Sequence, residues 1–188
     1  MKQFRADLHI HTLLSPCGDV EMTPRNIVQK AKTSHLDIIG ITDHNSTRNA
    51  LLVKKLAENE GIYVLTGAEV TTREEVHCLA FFETDEQLSL FQQFIDENIT
   101  KIPNDENYFG YQPVIDEEEN ILEMIPYYLP AALKQGITKV QQQVEKLNGI
   151  FIPAHIDRSV NGILSQLGFI PASVKCDALG LSKHSSKK

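Results

Sequence analysis

Two hydrophobic periods alternate along the chain. Short apolar runs are separated by stretches whose apolar positions recur at helical spacing. The segment 3–11 reads as a first strand, with Leu8 and Ile10 set among polar neighbours. Thr23-Pro24 then supplies an N-cap and a proline at the first helical position, followed by an apolar face of Ile27, Val28, Ala31 and Leu36. A strand over 37–42 precedes a helix over 47–59 that carries Leu51, Leu52 and Leu56. Strands near 62–71 and 76–82 lead to a helix over 85–99 bearing Leu88, Phe91, Phe94 and Ile95. A helix over 138–147 feeds a strand over 150–154, and a short helix follows at 159–167. This alternation predicts an α/β fold with parallel strands rather than a helical bundle.

The interval 102–136 breaks the rhythm. Pro103-Asn104-Asp105-Glu106-Asn107 is turn-rich, and Asp116-Glu117-Glu118-Glu119-Asn120 reads as a solvated hairpin tip. Apolar stretches at 111–115 and 121–129 flank that tip. Together they predict an excursion packed beside the mouth of the main fold. It either restricts access to a substrate or is a flap without a role in selectivity.

Composition narrows the function classes. A chain of 188 residues with 41% hydrophobic content suits one domain with a sizeable core. A formal charge of −7 argues against a broad, nonspecific nucleic-acid surface and leaves room for a local phosphate pocket. Cys17, Cys78 and Cys176 are odd in number and widely separated, so no disulfide framework is indicated. With no apolar run of transmembrane length and no signal-like core after Met1, the expected compartment is the cytoplasm and no membrane partner is expected.

The chemistry sits at the ends of the predicted strands. In Asp7-Leu8-His9-Ile10-His11, alternate side chains share a face, which puts the two histidines roughly 7 Å apart at Cα. Two imidazoles so placed can converge on one cation at about 2.0–2.1 Å each, with Asp7 positioned to orient one of them. Ile38 to Thr42 breaks into Asp43-His44-Asn45, and Ile62 to Thr66 leads through Gly67 to Glu69. His77 opens the run Cys78 to Phe82, and Gly149 to Ala154 ends at His155, followed by Asp157 and Arg158. In a barrel of parallel strands, one set of strand ends forms a single functional face.

The order and spacing of Asp-x-His-x-His at 7–11, Ile-Thr-Asp-His-Asn at 41–45, Gly-Ala-Glu at 67–69, His77 and Pro-Ala-His at 153–155 resemble the PHP family, named for polymerase and histidinol phosphatase. The resemblance runs from Phe4 to about Lys183. It implies that 1–188 forms a distorted or incomplete TIM-like (β/α)7 barrel, with two or three divalent metal ions (zinc, manganese or iron) and phosphoester hydrolysis. It places His9, His11 and Glu69 at a first metal and Glu69, His77 and His155 at a second, the carboxylate bridging through its two oxygens. His44 would hold a third. Cys17 there would favour zinc or iron over manganese; it can equally be an ordinary loop thiol, with Asp19 a weaker substitute. Glu69, Asp43 and Arg158 are the candidate catalytic residues. Arg158 could present a fork of donors to a phosphate, or pair with Asp157. Arg48 and Lys183 are lesser candidates for the same task.

The family pattern continues to a late Asp-x-His that this chain does not contain. Asp177 and His184 are seven residues apart, and Asp177 reads as a strand-start residue. The 188 residues are therefore expected to stop before the last metal-binding motif. Two readings follow. One is hydrolysis of a phosphomonoester, nucleotide or short oligonucleotide by a metal-activated water, the partner being a small phosphorylated substrate or short nucleic acid. The other is an incomplete or degenerate module that binds metal, a phosphate ligand or a partner without catalysis. Mild acidity and the lack of basic–aromatic clusters disfavour an editing nuclease within a polymerase. No Gly-x-Ser-x-Gly or Walker sequence points to a serine hydrolase or an NTPase.

Overall fold

The computed structural model describes residues 3–182 and Ser185. In chain order the strands are β1 (Ala6–Ile10), β2 (Ile38–Ile41), β3 (Tyr63–Thr71), β4 (His77–Phe82), β5 (Pro113–Ile115), β6 (Ile121–Met124) and β7 (Ile150–Pro153). The helices are α1 (Pro24–Thr33), α2 (Ala50–Ala57), α3 (Asp85–Asn98), α4 (Glu106–Phe109), α5 (Ile137–Lys146) and α6 (Ile163–Leu167). A five-stranded sheet in the order β1-β2-β3-β4-β7 curls into a half-barrel, an incomplete TIM-like architecture. The pair β5-β6 forms a separate small sheet.

The strands are not all parallel. β1, β2 and β3 run together, but β4 is antiparallel to both β3 and β7. A parallel crossover needs a dozen or more residues. Here only 72–76 separate β3 from β4, closed by Thr72 N–H to Val76 O at 2.9 Å and by Glu75 at φ +60°. Apolar runs carry no direction, so the sequence could not reveal this reversal. Its effect is to put the start of β4, His77, at the sheet edge where β1, β2 and β7 end.

Local sequence accounts for the helices. Thr23 caps α1 by accepting the Asn26 N–H, with Pro24 at the first position. Thr84 and Gln87 form a reciprocal capping box on α3. α1 and α2 bury Ile27, Val28 and Val53 against Ile39 and Ile41, while α3 and α5 bury Phe91, Ile95 and Val140 against Ala68, Val70 and Ala80. Alternation in β3 turns Glu69 away from that larger core, toward the concave side where Leu79, Phe81, Ile152 and Ala154 make a small inner cluster. Gly67 permits the tight β3–β4 approach, since a Cβ there would lie 2.0 Å from the Ala80 carbonyl oxygen.

The 102–136 segment contains α4 and the β5-β6 hairpin. Glu118 and Glu119 at its tip face solvent, but Glu117 pairs with Lys55 and its carbonyl accepts from Arg25 at 2.8 Å. Buried amides fasten the segment to the barrel. Asn45 Nδ2 donates to Leu129 O and Ala131 O, and Asn49 Nδ2 donates to Pro113 O, while Gln112 Nε2 donates to Tyr127 O within the segment itself. Beyond α6 the chain returns beside β7, where Asp177 Oδ2 accepts the Phe151 N–H at 2.7 Å and Gly180 N–H reaches Pro153 O at 2.9 Å. No helix among the described residues is long and apolar enough to cross a membrane.

Candidate metal centre

The strand ends deliver their side chains to one carboxylate. A parallel bridge between His44 and Glu69, with Asn45 N–H to Glu69 O and Glu69 N–H to Asp43 O, extends the β2–β3 ladder into the site. Glu69 Oε1 lies 3.1 Å from His9 Nε2, from His77 Nδ1 and from His155 Nε2. Oε2 lies 3.3 Å from His11 Nε2 and 3.4 Å from His44 Nδ1. The imidazoles close a ring around it in the order His9, His11, His44, His77, His155, with neighbouring centroids 4.6–5.9 Å apart.

These histidines converge despite an irregular strand. The β1–β2 register shifts between Asp7 and Ile10, so simple alternation does not govern the Asp7-His9-His11 face. Asp7 Oδ1 accepts the His9 backbone N–H at 3.2 Å rather than orienting a ring. His155 sits at φ +30° and Asn45 at φ +44°, both unusual for non-glycine residues, so the backbone is bent to bring these strand ends inward.

Asp43 is buried and spends its carboxylate on fixed partners. Oδ1 accepts from Thr12 N–H and Ser15 Oγ, and Oδ2 from Thr12 Oγ1, each at 2.7 Å. Ser15 Oγ in turn accepts the His44 N–H at 3.0 Å and lies 3.1 Å from His11 Nδ1. Asp43 thus touches the ring through Ser15. Thr12 and Ser15 had no place in the sequence reading, because hydroxyls in a loop carry no spacing signature. Cys17 is exposed, with Sγ 3.8 Å from His11 Nδ1. Gly18 lets its turn close, as a Cβ there would meet Thr12 O at 2.5 Å.

Electrostatics follow from burial and crowding. Burial opposes the charge on Glu69, yet hydrogen bonds from His11, His155, His77 and His9 hold it well below the usual carboxylate range. Burial also works against a proton on His11, but Cys17 and Glu69 push it up to about 10. Burial brings His44 down to about 3. Asp43 is raised by burial, against the pull of His11 and its hydroxyl partners.

The donor set fits divalent cations. Oε1 has room for two good hydrogen bonds but faces three imidazole nitrogens. His44 Nδ1 and His155 Nδ1 are buried without a hydrogen-bond partner. Metal–ligand bonds of about 2.0–2.1 Å in a tetrahedron put neighbouring donors about 3.3 Å apart, which the 3.1–3.4 Å separations match. Three sets of donor atoms lie within 4.8 Å of one another among the described residues: His9, His11 and Glu69; His44, Glu69 and His77; and His11, Cys17 and His44. The second set holds His44 with Glu69 and His77; His155, which the resemblance places with these last two, has Nε2 3.1 Å from the same Glu69 oxygen as His77 Nδ1.

The remaining candidates divide. Arg158 is exposed, has no ion pair among the described residues, and lines a cleft of about 680 Å3 with His9, His11 and His155. Asp157 is engaged by Ser182 N–H and Oγ, both at 2.7 Å. The Arg48 guanidinium is forked onto Asp96 at 2.9 and 3.0 Å and so is committed elsewhere. Asp19 caps its own turn by accepting the Glu21 N–H. Lys183 and His184 lie outside the described residues.

A curled α/β half-barrel with imidazoles and a carboxylate gathered at one rim is the architecture of a domain able to hold divalent cations there. The PHP domain profile matches residues 7–157, and the chain belongs to that family. It is 40% identical over 78 residues to an uncharacterized protein of Methanocaldococcus jannaschii, covering 37% of this chain and 46% of that one. Among solved structures it is similar to the lesion-specific endonuclease Q of Pyrococcus furiosus, with TM-score 0.68, 20% identity, and coverage of 97% of this chain and 43% of that chain. A second endonuclease Q structure, in complex with a 27-mer duplex carrying an abasic lesion, has TM-score 0.66 and 18% identity, over 94% of this chain and 42% of that chain. A Bifidobacterium adolescentis protein assigned as a metal-dependent phosphoesterase has TM-score 0.60 and 18% identity, over 95% of this chain and 77% of that one. The chain thus spans less than half the length of its curated relative and of endonuclease Q.

Proposed function

We propose that this chain hydrolyses phosphoesters with two or three divalent cations held by His9, His11, His44, Glu69, His77 and His155, with Cys17 contributing beside His11 and His44. The observation that carries this reading is the convergence of three imidazole nitrogens on Glu69 Oε1, each at 3.1 Å. Such cations, when bound, supply an acidified water and polarise a phosphoryl oxygen. Glu69 brings the negative charge that offsets theirs. Asp43 is a positioning residue: through Ser15 it fixes His11 Nδ1 and the His44 backbone. Arg158 meets the phosphate with a guanidinium beside the ring that has no ion pair among the described residues. A phosphomonoester, nucleotide or short oligonucleotide is the substrate class, and the likeness to endonuclease Q supports its nucleic-acid end.

A second reading, binding without turnover, is favoured by one observation. The late acids Asp157 and Asp177 are tied to Ser182 and Phe151, so neither adds an oxygen donor to the ring. The deciding experiment measures bound metal and hydrolysis of bis(p-nitrophenyl) phosphate and p-nitrophenyl phosphate with added manganese, zinc or iron. Bound metal with turnover, both lost in the His9→Ala/His11→Ala variant, supports catalysis. Bound metal with no turnover of either ester supports the second reading. Equal metal in wild type and variant overturns both.

A further inference from the structure

The imidazole ring opens into two clefts of opposite character. On one side His9, His11 and His155 face a space that contains Arg158 and Asp7. On the other, His44, His77 and Cys17 line a cleft of about 740 Å3 with no lysine or arginine among the described residues of its wall. Its outer wall comes from the 102–136 segment and is aromatic, made of Tyr108, Phe109 and Tyr128. Phe109 and Tyr128 have centroids 4.3 Å apart, and Tyr108 meets Phe109 edge-on at 4.9 Å. The three rings form one contiguous surface at distances where aromatic groups stack.

This surface is exposed yet fixed. Tyr108 is 81% exposed, a large ring left in water at the cleft rim. The backbone beneath it is pinned: Asp105 Oδ1 accepts the Asn107 N–H, and Asn104 Nδ2 donates to Gly110 O, both at 3.0 Å. Asn104 N–H also reaches Pro126 O at 3.0 Å, and Tyr128 N–H reaches Ile102 O at 2.8 Å. Rings held this way can receive a flat ligand without a large ordering cost.

We propose that the aromatic cleft is a nucleobase subsite, in which the base of a nucleotide stacks against Tyr108 and Phe109 while its phosphate lies at the histidine ring on the side of Arg158. The inference rests on the phosphoester reading above and names its substrate class. Charge complementarity fixes the orientation. The phosphate dianion finds its guanidinium in one cleft, and the neutral planar base finds in the other an aromatic wall whose titratable neighbours are Glu75, Cys17, Tyr108, Tyr128 and the ring's own His44 and His77. A sugar phosphate without a base fills only the first.

The test compares deoxyadenosine 5′-monophosphate with deoxyribose 5-phosphate, using titration calorimetry and tyrosine emission on the protein as purified. The chain has five tyrosines and no tryptophan, so stacking on Tyr108 or Tyr128 quenches the signal directly. Base–aromatic stacking predicts that the nucleotide binds roughly 10-fold more tightly than the sugar phosphate. Tyr108→Ala with Phe109→Leu should erase that preference and leave sugar-phosphate binding unchanged. Phe169→Ala, on an exposed ring outside both clefts, should leave the preference intact. If the double variant does not fold, Tyr108→Ala alone, at the exposed ring, carries the comparison. Equal affinity of wild type for the two probes, or a preference that survives the variants, overturns the subsite. Cleavage of phosphoesters without any base preference defeats the subsite and spares the phosphoester reading. Quenching by free deoxyadenosine that depends on Tyr108, with no phosphoester cleaved, does the reverse.

Discussion

Asn45 Nδ2 donates to the Leu129 carbonyl at 2.7 Å, joining the residue after His44 to a segment 84 positions away. Its Oδ1 meanwhile accepts the Thr71 N–H at 3.1 Å. One fully buried amide therefore ties together the end of β2, the end of β3 and the wall of the aromatic cleft.

Asn45→Ala leaves two carbonyls and one N–H without that partner. A buried unsatisfied group costs roughly 1–3 kcal/mol, so a loss of about 2–3 kcal/mol is expected. For a chain of this size that lowers Tm by roughly 5–10 °C. Thermal unfolding of the purified variant checks it; a Tm within 2 °C or so of wild type would show the bridge to be dispensable.

Glu69→Gln keeps the shape of the side chain and removes its charge. Metal content, measured by elemental analysis after gel filtration, should fall below half that of wild type. Five imidazoles alone cannot neutralise neighbouring cations. Undiminished metal would mean that Glu69 is a hydrogen-bond acceptor for the histidines and not a bridge.

Without metal, stability should peak near neutral pH. His44 is depressed to about 3, so between that value and 6.5 the unfolded chain binds a proton that the folded one does not, and stability falls as pH drops. Glu69, held below its ordinary range, contributes stability above about 4.5 that is lost as pH falls further. His11 is raised to about 10, so its contribution is complete below 6.5 and disappears as pH rises toward 10. Denaturant midpoints of chelator-treated protein at pH 5, 7 and 9, as rounded test points about the reference histidine value, should therefore be highest at 7. A monotonic trend would contradict the protonation pattern.

Gly67→Ala places a methyl against a backbone oxygen that cannot rotate aside. Loss of about 3 kcal/mol or more is expected. Gly61→Ala is the matched comparison: its φ is +69° with nothing within 4 Å of the added Cβ, so the cost is backbone strain of about 1–2 kcal/mol. Urea midpoints of the two variants test the ranking, and an equal loss would assign the Gly67 effect to backbone freedom alone.

Most of the fold could be read from the sequence because α1, α3 and the strands announce themselves locally, by Thr23-Pro24, by the helical spacing of Leu88, Phe91 and Ile95, and by apolar runs. The histidines were visible because each closes or opens such a run. What stayed hidden depends on distant partners. The direction of β4 depends on the turn 72–76, and Asp43 and Asp177 show their hydroxyl and backbone partners only once the chain is folded. The anchoring of 102–136 by Asn45 and Asn49 is of the same kind, since an amide that bonds a remote carbonyl leaves no period. The aromatic wall escaped notice because Tyr108 and Phe109, on the short α4, meet Tyr128 only once the β5-β6 hairpin between them has folded back.

The reversal of β4 also sets the order in which the centre can assemble. Glu69 and His77 are eight residues apart on one hairpin, whereas His155 reaches the same oxygen across 86. Loop-closure entropy makes the longer contact costlier by about 2 kcal/mol. Glu69 thus acquires its first imidazole from a hairpin, a unit that closes on the microsecond scale, and the last one arrives only when β7 docks. During synthesis, four of the five ring histidines and Glu69 have emerged before His155, so most of the donor set is on the chain before β7 docks.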